Sequence, residues 1–158
     1  MICHFFSRLF RDCSGFGAME LALASPFLFL LSLGMIDASM LIGTKIDYEQ
    51  AAQRTTDFAL ARRPNSGDGT YLRNEAATAA GVDAQYVTVD IYRTCDGTRA
   101  QSFNGTCNSG EVTARYASVT IAQPVATEFD WSSLAETLGI TAFGSTVTVQ
   151  GDSIIRFQ

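Results

Sequence analysis

The segment Leu21–Thr44, LALASPFLFLLSLGMIDASMLIGT, is the most informative part of this 158-residue chain. It contains one ionisable side chain, Asp37, among its 24 residues. A helix of about 20 apolar residues crosses a bilayer, and this segment is longer than the apolar core of an ordinary cleaved signal peptide. A helix that is apolar on all sides seldom serves as a core helix in so small a domain. The segment therefore predicts a single transmembrane helix, assigned to residues 16–44.

Beyond the apolar segment, residues 45–63 predict an amphipathic continuation of the helix out of the membrane. Small and aromatic residues recur there at helical spacing between charged and polar ones; they are Tyr48, Ala51, Ala52, Thr55, Phe58 and Ala59. Pro64 disfavours helical geometry in the residue before it, and residues 65–69, NSGDG, are typical of a turn. We therefore expect the helix to end near Arg62-Arg63.

Residues 64–158 predict a small extracytoplasmic α+β domain. A short helix is expected over residues 71–80, with Gly81 as its left-handed cap, and a second over residues 131–138. Apolar residues alternate with polar ones in three further segments, as expected of half-buried strands; these apolar residues are Val87, Val89, Ile91, Ala117, Val119, Ile121, Phe143, Val147, Val149, Ile155 and Phe157. Gly151-Asp152 is expected to bulge the last strand or to break it. The fold class is α+β, with a long N-terminal helix and an antiparallel sheet.

Composition and charge exclude several function classes. The net charge of −5, with no basic run longer than Arg62-Arg63, argues against a nucleic-acid-binding surface. The single histidine, His4, excludes a histidine-rich metal site, so neither a metal nor a cofactor is expected. The remaining candidate catalytic groups are scattered carboxylates that are more simply interpreted as solvated surface: Asp90, Asp96, Glu111, Glu128 and Asp130. We therefore expect a protein that is not an enzyme.

Glu20 is the charge whose position is most informative, because it lies where the apolar segment begins. The residues leading to it, Gly15-Phe16-Gly17-Ala18-Met19-Glu20, follow a leader, residues 1–15, that contains Arg8 and Arg11. This pattern resembles the processing site of type IV prepilins, in which a membrane-bound prepilin peptidase cuts after the glycine. The resemblance implies a cut between Gly15 and Phe16. The alternative for Glu20 is a carboxylate that reaches the lipid headgroups.

Residues 11–60 as a whole look like the TadE-like minor pseudopilins of the Tad (Flp, tight-adherence) pilus. The residues that carry this resemblance are RDCSG at 11–15, AMELAL at 18–23, Pro26, Gly34, Asp37 and QAA at 50–52, whereas Leu21 replaces the aromatic residue usual after the glutamate. The resemblance implies a structural component, anchored in the inner membrane, that contributes to the assembly, initiation or tip of the pilus and so to surface adhesion. Its implied partners are other pilins and minor pseudopilins, the prepilin peptidase and the inner-membrane assembly platform. The alternative is an unprocessed single-pass protein whose periplasmic domain is a binding or scaffold module.

The resemblance also implies an orientation, with the leader in the cytoplasm of a bacterium and the C-terminal domain in the periplasm. A count of positive charges favours the opposite arrangement, since Lys45, Arg54, Arg62 and Arg63 follow the span. We give the processing motif precedence, because the two distant arginines should count for less.

Cys95 and Cys107 bracket a turn-rich loop, CDGTRAQSFNGTC. In an oxidising periplasm they would form a disulfide worth about 3 kcal/mol in the chain-entropy model. Two free thiols are the alternative. A zinc site is disfavoured, because the domain offers no other cysteine or histidine as a ligand.

Overall fold

The computed structural model describes residues 15–137, 139–140 and 144–158. The described elements are α1 (Gly15–Ala61), α2 (Thr70–Ala80), a 3-10 turn (Ala84–Tyr86), β1 (Val87–Cys95), β2 (Thr98–Arg99), β3 (Thr113–Ala126), α3 (Trp131–Thr137) and β4 (Thr146–Arg156). The α+β prediction is confirmed. Predictions about residues 1–14, Leu138 and Phe143 lie outside the described residues. The chain divides into two compact units, Met1–Ala38 and Ser39–Gln158.

Pro26 lies inside α1 and has no N–H to donate to the carbonyl of Ala22, one helical turn earlier. The hydroxyl of Ser25 donates to this carbonyl instead, at 3.1 Å. Ser32 makes a similar bond to the carbonyl of Leu28, at 2.8 Å. In an apolar environment each unpaired backbone group is costly, so Ser25 compensates in part for the proline.

The second unit contains a four-stranded antiparallel sheet in the order β2-β1-β3-β4. The register pairs Ile91 with Ala117, and Ala117 with Ile155. The predicted alternation is confirmed where Val87, Ile91, Val119, Ile121 and Val149 are buried in the core. It is wrong at Val147, which is exposed because it lies at the start of β4, outside the part of the strand that is buried.

The second half of α1 packs on this sheet through the face that the sequence predicts. Tyr48, Ala51, Ala52, Thr55 and Ala59 are buried, and Phe58 is half-buried. Thr56 is buried as well, although the apolar pattern did not mark it. Its hydroxyl lies 3.0 Å from that of Ser153 in β4, so a hydrogen bond between hydroxyl groups accompanies the apolar packing of helix and sheet.

The expected bulge or break at Gly151-Asp152 is wrong. β4 pairs with β3 without interruption from Thr146 to Arg156. The glycine instead permits close approach of the helix: a Cβ on Gly151 would lie 2.5 Å from the carbonyl carbon of Tyr48 and 2.5 Å from the nitrogen of Glu49. Real Cβ atoms essentially never have neighbours under 3.0 Å, so α1 could not occupy this position over any other residue.

Two turns shape the rest of the domain. Gly81 has φ of 67° and caps α2, as predicted, with its N–H directed at the carbonyl of Ala77. Asp96 and Gly97 have φ of 48° and 81° and form the two-residue turn between β1 and β2. Positive φ at both positions is the geometry that Asp-Gly turns favour in hairpins. The sequence prediction missed this hairpin, and so missed β2.

Candidate functional site

The predicted processing site lies in the first described turns of α1. Gly15 and Phe16 have helical backbone geometry, and the Glu20 side chain is exposed. Residues four apart lie on the same face of a helix, so Phe16 and Glu20 are neighbours one turn apart. A new ammonium group on Phe16 would therefore lie on the same face as the Glu20 carboxylate. Cleavage after Gly15 itself stays a prediction.

The glycine at position 17 is not required by a close contact in the described structure. A Cβ there would meet nothing within 4 Å. Gly17 thus differs from Gly151, where contact with the packed helix leaves no space for a side chain.

The first half of α1 is long and apolar enough to cross a membrane, and the candidate span begins at Met19. Most of the large apolar side chains between Met19 and Ile46 are exposed; the exposed ones are Met19, Leu21, Leu23, Phe27, Leu28, Phe29, Leu31, Met35, Ile36, Met40, Ile42 and Ile46. Soluble monomers rarely expose a continuous apolar surface of this size, whereas lipid tails would cover it. Asp37, the ionisable residue of the segment, is buried and has an interaction partner.

Polar contacts join α1 to the sheet just after the apolar segment. Lys45 pairs with Glu49 at 2.7 Å and also donates to the carbonyl of Gln150 at 3.2 Å. The Tyr48 hydroxyl donates to Oε1 of Gln123 at 2.8 Å. Burial raises the pKa of Tyr48, and the nearby Asp47 carboxylate raises it further. These directional bonds favour one position of the helix on β3 and β4.

The structure joins Cys95 to Cys107 by a disulfide, with their Cα atoms 5.6 Å apart. The bond closes the loop that follows β1 and contains β2. Glu111 brings a carboxylate oxygen within 4.8 Å of both sulfur atoms, which makes these three residues a possible metal-binding group. Sulfur atoms bonded to each other cannot act as thiolate ligands, so the described geometry does not favour a metal here.

The scattered carboxylates have structural contacts. Asp90 pairs with Arg99 at 2.7 Å, with both side chains largely exposed. Asp96 accepts a bond from the backbone of Val112, and Glu111 accepts bonds from Asn108. Asp130 accepts bonds at the start of α3, chiefly from Ser132 and also from Ser133, which lower its pKa. Glu128 also has an interaction partner. These contacts are typical of turns and helix ends.

Comparison with known proteins supports the resemblance seen in the sequence. Residues 15–57 match the family model described as TadE-like protein. The match begins at the predicted processing site and ends within the part of α1 that packs on the sheet. The match covers about a quarter of the chain and makes its long helix similar to TadE-like proteins of the Tad system. No match is found among curated proteins or among solved structures.

Proposed function

We propose that the chain is a minor pseudopilin of a Tad pilus, made as a precursor and cut between Gly15 and Phe16. Residues 16–44 anchor it in the bacterial inner membrane, residues 45–63 extend the helix, and residues 64–158 form a periplasmic domain. The observation that carries the proposal is the TadE-like match over residues 15–57, which coincides with a helix whose apolar side chains are exposed.

The arrangement of α1 supports a structural role in an assembly. Part of the helix is covered by the sheet, whereas its first half presents apolar side chains that bind lipid before assembly and neighbouring pilin helices afterwards. The partners are accordingly other pilins and minor pseudopilins, together with the prepilin peptidase and the inner-membrane assembly platform. The pilus would use the energy of a separate ATPase.

Glu20 has a defined role in this proposal. Cutting after Gly15 creates an ammonium group on Phe16, and Glu20 neutralises this group in its own chain or in a neighbouring subunit. A carboxylate near the start of a membrane helix is costly when it is unpaired. The pair removes this cost, and between subunits it sets the axial position of one helix against the next.

We expect Glu20→Gln to be inserted and processed but to support fewer than about a tenth of the normal number of surface pili, because the neutral amide removes one charge of the pair. The matched control is Asp57→Asn, which removes an exposed carboxylate on the same helix and should give the normal number of pili. The measurement is the number of pili per cell in a strain that lacks the native gene and carries each variant. Normal piliation with Glu20→Gln would contradict the role proposed for Glu20, and normal piliation without the chain would contradict the pilus function.

A further inference from the structure

Two arginines occupy directly opposite positions on neighbouring strands, and no described residue forms an ion pair with either of them. Arg93 in β1 pairs in register with Arg115 in β3, so their side chains lie side by side. Arg93 is only 5% exposed. Like charges at directly opposite positions of a sheet repel each other, and burial makes an uncompensated charge more costly.

Several guanidinium nitrogens of this pair have no hydrogen-bond acceptor. Nε and Nη1 of Arg93 and Nε of Arg115 are buried and unpaired in the described structure. Residues 15–137, 139–140 and 144–158 place no carboxylate in an ion pair with either arginine, and Asp12 is the only carboxylate side chain outside those ranges. Buried arginine nitrogens are normally hydrogen-bonded, so this site has more donors than acceptors.

The described neighbours compensate for Arg115 only in part, and they offer no acceptor to Nε and Nη1 of Arg93. The guanidinium of Arg115 lies 5.0 Å from the ring centre of Phe103 and donates through Nη1 to Oε1 of Gln158 at 2.8 Å. Next to Arg93 the chain places Gly105, where a Cβ would lie 2.6 Å from Nη2 of Arg93. The loop backbone at Gly105 therefore lies close against the guanidinium.

The segment over Arg93 is suited to local opening. Residues 101–106 carry no helix or strand, and most of them are exposed. Phe103 attaches the segment to the core through Phe157, with ring centres 6.3 Å apart. The Cys95–Cys107 disulfide limits how far the loop can move. An ion that binds Arg93 would therefore require displacement of the loop at Gly105.

We propose that Arg93 and Arg115 form a binding site for a small oxyanion, such as phosphate or sulfate, beneath the loop of residues 101–106. An oxyanion provides several acceptor oxygens and a negative charge, both of which the site lacks. Charge-assisted bonds from arginine to phosphate are among the stronger hydrogen bonds in proteins. A free ion fits this site better than a large partner, because the nitrogens lie under the loop.

The test is isothermal titration calorimetry of the full chain in detergent with sodium phosphate, at constant pH and ionic strength. The wild type should bind about one phosphate per chain, and Arg93→Met and Arg115→Met should each weaken binding by about tenfold or more. The control is Arg99→Met, since Arg99 is exposed and lies over Tyr92, and it should bind like the wild type. Absence of saturable binding by the wild type, or equal affinity in all the variants, would overturn the proposal.

A second measurement keeps the test decisive if a variant fails to fold. Phosphate at about a hundred times its Kd should raise the melting temperature of the wild type by about 8 °C over chloride at equal ionic strength, because it binds only the folded chain. Equal melting temperatures in the two salts would mean that water satisfies these nitrogens, and would overturn the proposal. Where Arg93→Met folds, its melting temperature should be the same in both salts.

Discussion

Replacing Gly151 by alanine is expected to lower the free energy of unfolding of the domain by roughly 3 kcal/mol, in the upper range for overpacking of a core. The new Cβ would lie 2.5 Å from backbone atoms of Tyr48 and Glu49, and backbone cannot rotate away as the end of a side chain can. The helix must therefore shift from the sheet, which weakens the contacts of Tyr48 with Gln123 and of Thr56 with Ser153. Denaturant titration of the full chain in detergent measures the change.

The matched control is Gly67→Ala. Gly67 is exposed, and the nearest atom to a Cβ there, Cβ of Phe103, would be 3.5 Å away, which is ordinary contact. Alanine at such a position changes stability by about 1 kcal/mol or less, in the stabilising direction, because it restricts the unfolded chain. Equal unfolding free energies for the two variants would contradict the close contact between α1 and β4.

Removing the disulfide, by changing both Cys95 and Cys107 to serine, should lower the free energy of unfolding by about 3 kcal/mol in the chain-entropy model. The bond joins residues twelve apart in sequence and closes the loop over Arg93 and Arg115. Reducing the wild type with dithiothreitol should give the same loss.

The control for the disulfide is Ser102→Ala, a substitution at an exposed position in the same loop, which should leave the unfolding curve unchanged. Alkylation supplies a separate readout: in denaturant, Cys95 and Cys107 should react with a maleimide only after reduction. Ready labelling of Cys95 or Cys107 without reductant would contradict the disulfide, and so would an unfolding curve that reductant does not shift.

The parts of the fold that sequence could predict are those that depend on periodicity. The buried face from Tyr48 to Ala59 follows helical spacing, and the alternation around Ile91 and Val119 follows the pleat of a strand. Both patterns depend on residues close together in the chain. The two-residue turn at Asp96-Gly97 also has a local signal, because Asp-Gly is typical of hairpin turns, although no alternation of apolar residues marks the short strand that follows.

The parts that sequence could not predict depend on contacts between distant residues. From the sequence, Gly151 predicts a bulge or a break in the strand. The reason that no side chain fits there is the contact with Tyr48, about a hundred residues earlier in the chain. Arg93 continues the buried side of β1, where a charged residue contradicts the apolar pattern. Whether its guanidinium nitrogens find hydrogen-bond acceptors depends on how the sheet and the loop pack together, which the sequence does not show.

The candidate processing site could be predicted almost entirely from the sequence. The spacing of Gly15, Phe16 and Glu20 is a property of the chain, and the structure adds their helical backbone and the exposure of Glu20. Cleavage depends on a second protein, the peptidase, so the structure of this chain alone cannot establish it.

The most direct test of the proposed function is mass spectrometry of the N-terminus, on chain purified from cells that contain the prepilin peptidase. We predict that Phe16 is the first residue, with residues 1–15 removed. A chain that still carries its leader in those cells would contradict processing and would favour the unprocessed scaffold protein.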